Sequence, residues 1–468
     1  MATVSALIEP AVATAVTAAA RAQAEWASRT HAERALVLRA AARSVRTHAD
    51  EIAASIVAET AKAPTEAIAN ELYAAVDHAT WLAREAPRVL RDERVRFRQL
   101  HLKQKRAWLV YEPLGVVAAI TPWNMPFAIP FVQVASAVAA GNGAVLKPSE
   151  LTPLTAEWLP RLFEESGAPS GLVQVVHGDA EAGEALVGDP GIAKVFFTGS
   201  VAAGRQVAAA AGARGCPVVL ELGGKDPLVV FADADLERAV EGAAFATFLN
   251  AGQACVSAER IYVERPVYAE FTRRLRERAR SVSVGPLISD RQRERVEELT
   301  GVPGAEPAIV EGALPDEEIF GPVASVEAFD GEDDAVRRAN DTSFGLAASV
   351  WTRDLAKADR VARRLDAGMV WVNDFGYSFA AGQTPWGGGK GSGFGRSGSK
   401  HGLYDRVQVK YVDRDRGRLR PPWWFPYDAE TERALRAALD VLYGERGERL
   451  RAAWRARREL GQLVRRVR

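Results

Sequence analysis

The sequence predicts an α/β protein: a doubly wound parallel sheet followed by a second α/β unit. Two observations carry this. Short apolar runs recur from residue 115 onward, each followed by a segment of helical periodicity. Every glycine- or proline-marked turn that could bear chemistry falls at or just after the end of such a run, where doubly wound sheets collect their ligands.

Residues 11–90 read as helices, with apolar positions at three- and four-residue spacing through Ala32, Leu36, Leu38 and Ala41 and again through Ile52, Ile56 and Val57. The strand-like run 116–120 ends at Thr121-Pro122. A helix then runs to Ala140, where Gly141-Asn142-Gly143 stops it before the run 144–146. Runs at 172–176, 195–197 and 218–220 repeat the alternation. After Leu220 a second unit begins, with Asp235 as an N-cap and Leu236, Val240, Ala244 and Phe248 spaced by four, so a helix extends to about Asn250. The loop 250–254 leads into Cys255. Mixed α/β pattern continues to a segment, 382–398, with eight glycines in seventeen residues.

The chain has 468 residues, 48% hydrophobic and 26% charged, enough for a large core. Its 60 basic and 60 acidic side chains cancel, which removes any bulk electrostatic case for nucleic acid. Two cysteines, Cys216 and Cys255, cannot build a disulfide framework and fit a reducing cytoplasm. The six histidines, His31, His48, His78, His101, His177 and His401, have no metal-ligand spacing. The longest apolar stretch, 125–146, is broken by Pro126, Pro130 and the glycine turn, so no membrane span is expected. Residues 413–468 carry fifteen arginines against nine acids. Leu435, Leu439, Leu442 and Leu450 there describe an amphipathic helical tail. It would dock on the body or a neighbouring subunit, or meet an anionic surface.

Four motifs are read together: Asn124 in Thr121-Pro122-Trp123-Asn124-Met125-Pro126, Phe197-Thr198-Gly199-Ser200, Glu221 in Glu221-Leu222-Gly223-Gly224-Lys225, and Cys255 in Gly252-Gln253-Ala254-Cys255. Singly, each has a plain alternative. Cys255 alone reads more readily as a small buried hydrophobe than as a nucleophile, and Cys216 keeps that structural reading. Glu221 reads as a strand-end surface carboxylate, and Asn124 as a loop-shaping residue. Gly199-Ser200 opens a helix that can meet a phosphate, although its spacing is not that of a dinucleotide fingerprint. Lys147-Pro148-Ser149-Glu150 offers a cation and a carboxylate, or a solvated turn.

In combination and in this order, the motifs resemble the aldehyde dehydrogenase superfamily, from near Trp26 to about Val412. Further markers are Glu317-Glu318-Ile319-Phe320-Gly321-Pro322, Asn340-Asp341-Thr342-Ser343-Phe344-Gly345-Leu346, Pro385-Trp386-Gly387-Gly388 and Ser392-Gly393-Phe394-Gly395-Arg396. The resemblance implies an NAD-binding domain at 1–95 and 114–225, and a catalytic domain at 226–402. It also implies a bridging β-arm at 96–113 and 403–413, with the tail at 414–468, and assembly as a homodimer or homotetramer.

By the same resemblance, Cys255 attacks the aldehyde carbon, and Asn124 with the Cys255 backbone N–H holds the oxyanion. Glu221 then activates water to release a carboxylic acid. Thr121, Trp123, Lys147, Glu150, Gly199 and Ser200 would contact NAD, with Glu318 and Phe320 at its nicotinamide end. A carboxylate at Glu150 disfavours NADP. Ile129, Val132, Phe248 and Trp386 would line a substrate tunnel suited to an apolar or aromatic aldehyde. The rivals are a coenzyme A-acylating semialdehyde dehydrogenase, set aside because Glu221 is present, and a non-catalytic scaffold that keeps the fold. One departure stands out: the segment 279–317 is shorter than the family's, which would expose a sheet edge.

Overall fold

The apolar runs fold into two six-stranded sheets. A computed structural model describes residues 2–99, 102–416, 421, 424, 425, 427–459 and 461. The chain forms two compact units, residues 1–91 with 111–409, and residues 92–110 with 410–468.

The first sheet runs in the order Gly393–Phe394, Val218–Glu221, Ile192–Thr198, Val116–Ile120, Gly143–Lys147, Val173–Val175. All neighbours are parallel except the first pair, where the glycine-rich segment adds an antiparallel edge. Val116–Ile120 and Gly143–Lys147 are buried along their whole length, as central strands covered on both faces must be. One covering element, Ala128–Ala140, is itself buried at every residue and packs against the helices His31–Thr47 and Tyr73–Val89. Its stop is steric as well as conformational. Gly141 has φ +93, and a β-carbon there would lie 2.2 Å from the Arg34 guanidinium.

The second sheet has the order Ala308–Glu311, Val323–Phe329, Ala258–Glu264, Asp226–Val230, Ala347–Trp351, Met369–Val372, all parallel. Asp235 caps the helix Leu236–Phe248 by accepting from the Arg238 N–H. That helix ends at Phe248, the last residue of its apolar stripe and two residues before the expected Asn250, because Asn250 and Ala251 turn left-handed within Leu249–Gly252. Ala308–Glu311 is an edge strand of this sheet. It is only four residues long and ends on Glu311, whose carboxylate pairs with Arg276 at 2.8 Å, so the exposed edge is short and charged.

A third sheet joins Glu93–Val95, Lys105–Pro113 and Val407–Asp415. Val407–Asp415 is exposed from its second residue onward. The tail forms two helices, Ala429–Tyr443 and Arg446–Arg455, that pack on each other; Thr431, Ala434 and, just after the second helix, Ala456 are buried. Its larger apolar side chains, Leu439, Leu442, Leu450 and Trp454, remain exposed. Residues 100 and 101 of the expected arm, and 417–420, Pro422, Trp423, Pro426, Leu460 and 462–468 of the tail, lie outside the described residues. Among the described residues no cluster suits a metal ion, and no helix is long and apolar enough to cross a membrane.

Candidate active site

A cavity of about 1400 Å³ opens at the carboxyl ends of the first sheet's strands and reaches Cys255. Cys255 follows three consecutive residues with positive φ, Asn250 (+53), Ala251 (+56) and Gly252 (+72). Gly252 is obligatory there, since a β-carbon would lie 2.0 Å from the Gly321 carbonyl oxygen. This tight turn swings the chain out of the helix and carries the thiol to the cavity wall.

Asn124 reaches the same place from the loop after Val116–Ile120. Its side-chain amide donates to the Gln253 carbonyl at 3.1 Å, two residues before Cys255. Its Oδ1 is buried without a hydrogen-bond partner. Glu221 is the last residue of Val218–Glu221, also on the cavity wall, and neither of its oxygens makes a well-formed hydrogen bond. Burial raises its carboxyl to about 8, opposed by Ser397, Arg396 and Arg406. Burial, and then the carboxylates of Glu318, Asp226 and Glu221, push the Cys255 thiol far up as well. Burial thus favours the protonated thiol, and Glu221 and Glu318 face it with carboxyls that burial holds in their neutral form well above the usual carboxylate range.

Glycines let these groups meet. A β-carbon at Gly223 would stand 2.1 Å from a Glu318 carboxylate oxygen, and one at Gly387 would stand 3.0 Å from a Glu221 oxygen. Glu318 accepts the Gly224 N–H at 3.2 Å, and burial raises its carboxyl to about 8. Behind it, the buried pair Lys225–Glu259 (2.9 Å) fixes the loop: Glu259 accepts the N–H groups of Ile319 and Phe320, and Lys225 donates to the Glu317 carbonyl. Phe320, at φ +54, meets Trp123 edge to face at 5.4 Å.

The remaining expected residues divide. Trp123, Glu150, Gly199, Ser200, Glu318 and Phe320 line the cavity, as do Ile129, Val132 and Trp386. Thr121 and Lys147 are buried beside the cavity instead of on its wall, and Lys147 turns to Glu150 at 3.6 Å. Gly199 donates its N–H to the Glu221 carbonyl, and the Ser200 hydroxyl caps the following helix by accepting the Ala203 N–H. Phe248 packs in the second sheet's core, because it completes the same four-residue stripe as Val240 and Ala244; the wall positions belong to Phe245 and Leu249. Sequence reasoning missed Arg205, Arg291 and Arg295, which lie on the wall. The first of these follows the Ser200-capped helix start by one turn, a cationic position at a helix N-terminus that spacing alone offered.

A model of the aldehyde dehydrogenase family matches residues 1–313 and 304–412, two ranges that overlap at 304–313. Betaine aldehyde dehydrogenase 1 of Rhizobium meliloti (strain 1021) is 37% identical over 446 residues, covering 87% of this chain and 90% of that protein. Betaine aldehyde dehydrogenase of Rhizobium etli is 38% identical, over 87% and 89%. Among solved structures, betaine aldehyde dehydrogenase from Staphylococcus aureus in complex with NAD+ superposes with a TM-score of 0.82 at 31% identity, covering 89% of each chain. An aldehyde dehydrogenase from Brucella melitensis biovar abortus 2308 gives the same TM-score at 36% identity, over 88% and 90%.

Proposed function

The chain belongs to the aldehyde dehydrogenase family and is an NAD-dependent enzyme that oxidises an aldehyde to a carboxylic acid, and on that premise we propose how its own residues divide the work. Cys255 is the nucleophile, Asn124 and the Cys255 N–H stabilise the oxyanion, and Glu221 is the general base. The observation that carries this reading is the hydrogen bond from Asn124 to the Gln253 carbonyl, which ties the amide to the cysteine loop on a wall shared with Glu221.

The Cys255 thiol gives its proton to solvent water, and its sulfur bonds to the aldehyde carbon as the carbonyl π electrons move onto oxygen. The oxyanion so formed needs fixed donors; one amide N–H of Asn124 is held by Gln253, leaving the other for that oxygen, a contribution of about 3 kcal/mol. NAD, when bound, supplies the hydride acceptor. The cavity fits it: Arg205 and the Ser200-capped helix start suit a pyrophosphate, Glu150 suits ribose hydroxyls and opposes a 2′-phosphate, and Glu318 with Phe320 closes the nicotinamide end. The resulting Cys255 thioester is hydrolysed by water that gives its proton to Glu221. A carboxylate base so placed favours hydrolysis over transfer to coenzyme A.

The substrate reading is a bulky, uncharged apolar aldehyde. Met125, Ile129, Val132, Leu249, Phe379 and Trp386 form its wall, and Phe379 and Trp386 meet edge to face at 5.0 Å. The rival is a quaternary ammonium aldehyde, for which Asp374 and the Trp386 face on the same wall would provide attraction. Betaine aldehyde and its neutral isostere 3,3-dimethylbutanal have the same shape, so their kcat/KM ratio isolates charge. We expect the neutral compound to be favoured, with the free acid as product whether or not coenzyme A is present. Preference for betaine aldehyde overturns the substrate reading, and an acyl-coenzyme A product overturns the hydrolytic one.

We further propose that the enzyme is a homodimer or homotetramer, assembled through the exposed strand Val407–Asp415 with Val409, Tyr411 and Val412 at its surface. Light scattering in solution tests this; a monomer contradicts it.

A further inference from the structure

Lys62 and Glu71 form an ion pair of 2.7 Å that is almost wholly buried, with side-chain exposures of 1% and 0%. Lys62 lies in the link after the helix Ala49–Thr60, and Glu71 lies in a π-helical turn, Ala67–Leu72. Such turns are rare and recur at functional sites. The pair is not isolated. The Lys62 ammonium also donates to the Asn124 carbonyl at 2.7 Å. The second Glu71 oxygen accepts the N–H groups of Phe127 at 2.8 Å and Ala128 at 3.2 Å, at the start of the helix Ala128–Ala140. Asn250, from the turn before Cys255, donates to the Asn124 carbonyl at 3.2 Å and to the Gln253 carbonyl at 3.1 Å.

From this geometry we propose that Lys62 and Glu71 are positioning residues that hold the Asn124 side chain in place for the oxyanion. The proposal rests on the reading of Asn124 given above. One ion pair grips the loop at two points, the carbonyl of Asn124 and the helix start after it, so the backbone from Asn124 to Ala128 that carries the side chain is held in place. The N–H groups of a helix's first turn have no partner within the helix, and a carboxylate at that end is favoured by the helix dipole. Buried ion pairs add little net stability compared with apolar residues of the same volume, because desolvation offsets their attraction. Their value here lies in placement, since a displacement of about 1 Å at a reacting group costs about a hundredfold in rate.

The test measures the burst rate of NADH formation, NAD affinity and thermal stability in Lys62→Met, Lys62→Met/Glu71→Gln, Asn124→Ala and the triple variant. Lys62→Met strands a buried carboxylate and loses stability; the double variant removes both charges at nearly matched volume and recovers it. We expect the double variant to keep NAD affinity and a near-native melting temperature while its burst slows about tenfold or more. In the Asn124→Ala background the same two changes should slow the burst no further, as coupled residues behave. A double variant with a native burst rate overturns the proposal, as does a full additional loss in the Asn124→Ala background. Asn124→Ala with a native burst rate overturns the parent reading instead, so the two failures are distinguishable.

Discussion

Gly224 approaches the backbone of Cys255 so closely that a β-carbon on it would stand 2.5 Å from the Cys255 carbonyl oxygen. This contact joins the turn after Glu221 to the cysteine loop, and so sets how far the base lies from the nucleophile. Gly224→Ala has backbone to push against, and the loop must move. We expect NADH formation to fall about a hundredfold, the cost of about 1 Å at a reacting group. Gly212→Ala is the control: it has open space around it in the helix Val201–Ala213. That change should leave the rate unaltered and add up to about 1 kcal/mol of stability.

Glu221 links stability and activity through pH. In the folded enzyme its carboxyl ionises near 8, whereas the ordinary value is 4.5. Between these values the folded state holds a proton that the unfolded chain releases, so the stability contributed by Glu221 falls as pH rises across the window. Glu221→Gln stays neutral throughout. Its melting temperature should match the parent's near pH 5 and exceed it increasingly toward pH 9. Thioester hydrolysis has the opposite dependence, rising through an apparent pKa near 8 in the parent and remaining slow and flat in Glu221→Gln.

The Lys225–Glu259 pair predicts a different phenotype. Glu259→Ala leaves the Lys225 ammonium buried without its carboxylate and frees the N–H groups of Ile319 and Phe320. Breaking such a pair costs about 3–5 kcal/mol. Denaturant unfolding should show that loss, and the KM for NAD should rise because Glu318 and Phe320 lose their support.

Cofactor choice is checked at Glu150. Its carboxylate lies on the cavity wall, held by Lys147 at 3.6 Å. Glu150→Gln removes the charge that opposes a 2′-phosphate. The ratio of kcat/KM for NAD to that for NADP should fall about tenfold, worth about 1.4 kcal/mol of discrimination; an unchanged ratio assigns the preference elsewhere.

These residues also mark what a linear chain discloses. Asn124, Glu221 and Cys255, which the fold brings to one cavity, each sit near Gly or Pro at or after the end of an apolar run, and the motif order joined them. Phe248 was misplaced although its own stripe, shared with Val240 and Ala244, pointed into the core. Cavity walls depend on where a helix stops, and the tightening at Leu249–Gly252 cannot be read from periodicity. The Lys62–Glu71 and Lys225–Glu259 pairs were invisible for another reason. Charged residues nine and 34 positions apart read as surface until packing buries them.

The central claim is that the acyl group resides on Cys255 and awaits Glu221. Acid quenching of Glu221→Gln within the first turnover on aldehyde and NAD, followed by peptide mass spectrometry, measures this directly. The account predicts one NADH per subunit and the acyl mass on the peptide containing Cys255. NADH formed with that peptide unmodified, or with the adduct on another residue, would contradict it.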